Sequence, residues 1–197
     1  MGFALALTAV FATVSVFSAQ QLTLRDADTM AKKVAGIVAR GESQPAAKPA
    51  ALRTSFTERE VNAYLKFHGK DRLPTGVVDP SLMLAGNRRV SARAIVDLDM
   101  VRTAKERGWL DPAAYLTGSL EIRAVGLLET ANGKGTIQIE SAHVGGVPIP
   151  KTLFQELVTF YSRSPDLPGG FDLDRPFDLP ARIREVEIRR GAATIVQ

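Results

Sequence analysis

The sequence predicts an α+β fold: an antiparallel meander sheet that curls around one long helix, with a capped helix and an apolar segment ahead of it. Three observations predict it. Several stretches alternate apolar and polar residues and are separated by short turns, as paired strands do. The stretch from Gly145 to Arg163 changes to helical spacing. Thr57-Glu58-Arg59-Glu60 carries the pattern of a helix start. Hairpins grouped together, with helices outside the alternation, give α+β rather than a parallel βα order.

The 197 residues leave room for one ordinary domain and an appendage. Hydrophobic residues make up 45% and charged residues 23%, which places the chain in the globular range. A net charge of +4 suits an anionic membrane surface and is too dilute for a nucleic-acid partner. There is no cysteine, so disulfides, thiolate metal sites and cysteine nucleophiles are excluded.

Residues 1–19 form the first segment. Phe3 to Ala19 carries no charge and is broken only by Thr8, Thr13, Ser15 and Ser18. Its length is at the short edge of the ~17–25 residues of a membrane span and just above a signal-peptide core. It reads as a signal peptide, with cleavage after Ser18 and Val16 third from the cut, or as a retained anchor. Residues 20–40 read as a polar helix with a ragged apolar face of Leu22, Leu24, Ala27, Met30, Val34, Ile37 and Val38. Residues 41–53, rich in Gly, Ser, Pro and Ala, read as a linker.

The main domain is placed at 54–197. Thr57 caps its first helix, Glu60 returns the bond, Phe56 and Val61 form the hydrophobic staple, and the helix stops by Gly69. Val77 to Leu84 is a strand, Ala85-Gly86-Asn87 a turn, and Arg89 to Asp99 a second strand with Val90, Ala92, Ala94, Val96 and Leu98 on one face. A short helix follows from Met100 to Arg107. Leu116 to Thr130 and Thr136 to Val144 pair across Asn132-Gly133, a strong hairpin signal. On these strands Leu120, Ile122, Ala124, Leu128, Ile137, Ile139 and Ser141 point inward, and His143 shares that register.

The organising helix begins near Lys151, after Pro148 and Pro150. Leu153, Phe154, Leu157, Val158 and Tyr161 form its apolar stripe, widened by Phe160. That stripe fits a solid core as well as the lining for an apolar ligand. The small inward residues Ala92, Ala124, Gly126 and Ser141 leave volume to be filled. A Pro/Gly-rich connection carries Phe171, Leu173, Phe177 and Leu179 to a last hairpin, Ile183 to Arg189 and Ala192 to Val196.

Little in the sequence points to catalysis. His68 and His143 are isolated and match no zinc spacing. No Gly-x-Ser-x-Gly elbow occurs, and Gly133-Lys134-Gly135 lies in a hairpin rather than a phosphate loop. Asp97-Leu98-Asp99 and Asp172-Leu173-Asp174 lack the glycine and distal glutamate of a calcium loop. The expectation is no catalytic residue, no cofactor and no metal.

Phe56 to Leu65, Leu73-Pro74-Thr75-Gly76-Val77, the Val144 to Pro150 entry to the helix and the Arg184 to Gly191 hairpin occur in an order that resembles small one-module periplasmic members of the tubular lipid-binding superfamily. The likeness covers roughly residues 54 to 197. It implies a strongly bent antiparallel sheet wrapped around the long helix, with an elongated apolar cavity between them for acyl chains, in a bacterial cell envelope. Carried over position by position, it implies a ligand-facing set of Leu153, Phe154, Leu157, Val158 and Tyr161 opposite Val96, Leu98, Ile122 and Ile139. The function it implies is lipid or apolar-ligand binding or transfer, in an exported protein of the periplasm or one anchored to the inner membrane and facing the periplasm. The alternative is an envelope assembly or scaffolding protein that grips a partner protein through its groove or a sheet edge. An enzyme acting on lipid or glycan through Asp97 and Asp99 is the weakest reading.

Overall fold

The computed structural model describes residues 21–43, 51–69, 73–100, 118–163 and 167–197. The apolar segment 1–19, most of the 41–53 linker and the helix read at 100–107 fall largely or wholly outside the described residues.

Helix α1 spans Leu24–Glu42 and opens with a capping box, in which the Thr23 hydroxyl accepts from the Asp26 N–H and the Asp26 carboxylate accepts from the Thr23 N–H. Strand β1, Arg53–Thr57, runs directly into helix α2, Glu58–His68, with the same device built on Thr57 and Glu60. The two helices pack against each other, and Ala27 of α1 and Ala63 of α2 are both fully buried, methyl-sized side chains that let helix axes approach closely. Around that contact, Arg59 Nε donates to Asp26 Oδ2 at 2.8 Å, Lys33 Nζ to Glu60 at 2.8 Å, and His68 Nε2 lies 2.8 Å from Asp28 Oδ1. At its other end α1 offers the Ile37 carbonyl to Gln197 Nε2 at 2.9 Å.

The described strands form two antiparallel sheets where the sequence suggested one. The larger has six strands, ordered β2 (Val77–Gly86), β3 (Arg89–Asp97), β4 (Ser119–Ala131), β5 (Lys134–Val144) and β6 (Val147–Pro148), with the short β7 (Phe177–Asp178) also on β5. The smaller is β1–β9–β8, from Glu185–Arg189 (β8) and Ala192–Val196 (β9). A strand at 53–57 was hidden in the sequence because the cap residues Phe56 and Thr57 belong to it. Positive φ at Asn87 and Arg88, and at Asn132 and Gly133, gives both meander hairpins two-residue turns that match the strand twist.

The helix beside the larger sheet, labelled α3, spans Lys151–Tyr161. It starts at the expected Lys151, and its 11 residues compare with the 19 of α1. The chain leaves β5 through β6, runs along α3, and returns through residues 167–176 to pair β7 with the opposite end of β5. The core beside α3 is Ala142, Phe154 and Leu173, with Ile122, Ala124, Ile137, Ile139 and Val158 packed against it.

Two registers differ from the expected ones, each for a local reason. Asp97 Oδ1 accepts from the N–H groups of Asp99 and Met100, both at 3.0 Å, so Asp97 caps a helical turn and the strand ends there rather than at Asp99. Leu98 is thereby taken off the sheet. On β5, Val125 pairs with Ser141 but Gly126 pairs with Ile139, which leaves Glu140 as the extra residue of a bulge. One extra residue exchanges the two faces. Ile137 and Ile139 point inward below the bulge and Ala142 does so above it. Ser141 and His143 therefore lie on the outer face, with His143 opposite Arg123.

Candidate functional site

Between α3 and the six-stranded sheet lies a groove with a cavity of about 250 Å³. Ala92, Ala124 and Gly126 form its floor, Ile137 and Ile139 one side, and Phe154, Val158 and Leu173 its cover. Every residue that lines it is apolar. Across the row Ala92, Ala124 and Ala142, the strands present only methyl groups. At ~4.8 Å per strand this row spans about 10 Å, from buried Ala142 to exposed Ala92. The row is thus covered at its β5 end, where Phe154 and Leu173 pack on Ala142, and open at its β3 end.

Gly126 makes room at the bulge, since a Cβ there would lie 2.9 Å from the Gln138 carbonyl oxygen. Opposite the groove the sheet is charged. Arg93 and Arg123 both bond Glu121, at 2.6 and 2.5 Å, and Arg89 pairs with Glu140. The Arg123 guanidinium, followed by that of Arg93, holds the Glu121 carboxyl below the usual range, and Arg89 does the same for Glu140. The Arg–Glu pairs thus lie on the face away from the groove, beside the apolar Ile95 and Val125.

The nine positions named from sequence are spread more widely than the groove. Phe154, Val158 and Ile139 line the cavity, and Ile122 packs beside it. Phe154 is 9% exposed, while Leu153, one position earlier, is 43% exposed and faces away. Leu157 and Tyr161 are half-buried on the flank of α3, outside the lining. Val96 pairs with Leu120 and Val77 at the far end of the sheet, and Leu98 lies in the turn after β3.

The sequence reading missed a polar stripe on α3. Gln155, Thr159 and Ser162 recur on one flank of the helix and bind the backbone of the returning chain. Gln155 Oε1 accepts from the Leu173 N–H at 2.9 Å, Gln155 Nε2 and Thr159 Oγ1 donate to the Phe171 carbonyl at 3.2 and 3.1 Å, and Ser162 Oγ accepts from the Phe171 N–H at 2.6 Å. The spacing i, i+4, i+7 was the available signal. These bonds bring Leu173 over the cavity.

Other groups with chemical potential are engaged in structure. The carboxylate of Asp99 accepts from the Gly118 N–H at 3.1 Å, and Asp172 and Asp174 pair with Arg175 and Lys151. Among the described residues no three metal-ligating side chains converge, and no helix is long and apolar enough to cross a membrane. The final hairpin offers little free edge: β9 lies between β1 and β8, and β8 bonds Thr130 through both the N–H and carbonyl of Val186.

No protein-family model and no curated protein matches the chain. Among solved structures it is similar to a crystal structure of lipopolysaccharide binding protein, at 17% identity with a TM-score of 0.23. The match covers 74% of this chain and 40% of that one, so the chain spans about two fifths of its length.

Proposed function

We propose that this protein binds a lipid or similar apolar ligand in the cell envelope, holding an acyl chain between α3 and a sheet that curves around it. The observation that carries the reading is the cavity of about 250 Å³ with an exclusively apolar lining and an open side. A closed apolar cavity of about 150 Å³ takes up benzene, so this one suits on the order of ten carbon atoms. Burial is worth about 25 cal/mol per Å² of apolar surface, enough for micromolar binding of a chain after association costs. No polar group in the lining reads a head group, so the head group stays at the open side.

Binding without catalysis is part of the proposal, supported by the engagement of Asp97 and Asp99 in backbone capping. So is export to the periplasm, or anchoring in the inner membrane facing it, supported by the uncharged run Phe3 to Ala19. Peptide gripping at the final hairpin has less support, because β9 already has two partners.

The test is native mass spectrometry of the tagged full chain after expression in a bacterium, with organic extraction of what co-purifies. The wild type is expected to carry lipid, and Ala124→Phe, which fills the groove from its floor, to carry less than about a tenth as much. A wild type that is apo and stays apo with membrane lipids, or a folded Ala124→Phe that retains its lipid, refutes the reading.

A further inference from the structure

We propose that Leu173 is the stop that sets how long an acyl chain the groove accepts. The inference rests on the binding reading above and adds to it the residue that determines which chains fit. Leu173 is 7% exposed, lines the cavity, and packs with Phe154 over Ala142 at the closed end of the groove. A chain that enters beside exposed Ala92 and runs along the alanine row toward buried Ala142 ends against the two side chains that cover Ala142, Leu173 and Phe154, and of these Leu173 is the one carried by the strap.

A stop has to be held in place, and this one is held from both sides. On the helix side, Gln155 fixes the Leu173 N–H and the Phe171 carbonyl, while Ser162 fixes the Phe171 N–H. Gly170 has φ +74 and comes so near α3 that a Cβ would lie 1.9 Å from the Thr159 carbonyl oxygen. On the sheet side, the Phe171 and Phe177 rings are 5.4 Å apart, and Phe177 pairs with Gly135 on β5, where a Cβ would touch its ring at 2.5 Å. The strap therefore cannot slide along the groove, and the reach of the Leu173 side chain becomes a fixed length. Three other side chains on this strap, Asp172, Asp174 and Arg175, are charged and more exposed, so Leu173 is the apolar group turned inward among them.

The full-length wild type, Leu173→Ala and Leu173→Phe are each loaded with an equimolar mixture of short-, medium- and long-chain saturated fatty acids, and the bound acids are weighed by mass spectrometry. Close packing predicts that Leu173→Ala moves the preferred chain longer by about two to four carbons and that Leu173→Phe moves it shorter. Leu173→Val replaces the alanine variant if that one does not fold, with a smaller shift in the same direction. Opposite shifts support the stop, since general destabilisation lowers uptake of all chains together. An unchanged preference in folded variants overturns the stop and leaves the binding reading standing. A wild type that takes up none of the acids overturns both.

Discussion

Glu60 joins three elements, and its removal tests how α1 is held to the rest of the fold. Its carboxylate accepts the Lys33 ammonium at 2.8 Å on both oxygens and the Thr57 N–H at 2.8 Å. The same ammonium donates to the Ser55 carbonyl on β1 at 2.8 Å. The side chains of Lys33 and Glu60 are 30% and 13% exposed, so the pair is poorly screened. Losing the reciprocal cap costs about 1 kcal/mol, and leaving a half-buried ammonium short of its partner adds about 1–2 kcal/mol. Glu60→Ala is therefore expected to lower unfolding free energy by about 2–3 kcal/mol, or the melting temperature by about 4–12 °C in a chain of this size. In a double-mutant cycle with Lys33→Met the coupling should exceed the ~0.2–1 kcal/mol of an exposed pair. Burial pushes the Glu60 pKa up, but the Lys33 ammonium and the Thr57 N–H outweigh it and leave the folded value below 4.5. The unfolded chain thus takes the proton first. The contribution is complete above about pH 4.5 and is lost as the pH falls through the lowered folded value. Urea melts of wild type and Glu60→Gln should converge over that acid range. A coupling near zero, or parallel pH profiles for the two proteins, refutes the argument.

Asn62 bonds both the N–H and the carbonyl of Leu82, at 2.7 and 2.8 Å, and so occupies the outer edge of β2. Asn62→Ala should cost about 1–3 kcal/mol in a urea melt and raise self-association in sedimentation velocity, because a freed edge pairs with other chains; an unchanged midpoint and a monomeric profile contradict this. Gly170→Ala forces a Cβ against the Thr159 carbonyl at a left-handed φ, a strain of about 2–4 kcal/mol. It should speed hydrogen exchange at the Phe171 and Leu173 amides selectively, and preserved protection there would show that the strap does not depend on its close approach to α3.

The elements were legible because their signals are local. Thr57 and Glu60, Asn132 and Gly133, and the alternation through β3 and β4 each decide a structure within a few residues. The cavity lining was legible only in part. Phe154, Val158 and Ile139 follow from periodicity, whereas Leu153 obeys the same periodicity and points outward. An apolar count on α3 gives a stripe wider than the contact, and only the strap seated on Gln155, Thr159 and Ser162 fixes which edge of it faces the sheet. The bulge at Glu140 was equally hidden, since alternation alone carried Ser141 and His143 to the wrong face. Leu98 was lost to an aspartate cap that competes with the ladder for backbone N–H groups.

Methyl-sized residues along Ala92, Ala124 and Ala142 give up packing energy in the middle of a sheet, where larger side chains would otherwise interlock. The opposite face of that sheet carries Arg–Glu bonds across β3, β4 and β5. The edge of β2 is occupied by Asn62 and by Glu58, whose carboxylate accepts from the Leu84 N–H at 2.7 Å. β5 is bordered by β6 and β7 at its two ends. An open apolar groove is an aggregation hazard wherever strand edges beside it are also free. Here the adjoining edges are largely taken, so the open side of the groove does not run on into a free strand edge. Occupied edges of this kind separate an open groove from a sheet that recruits another sheet, and the Asn62 bonds on β2 are part of that protection.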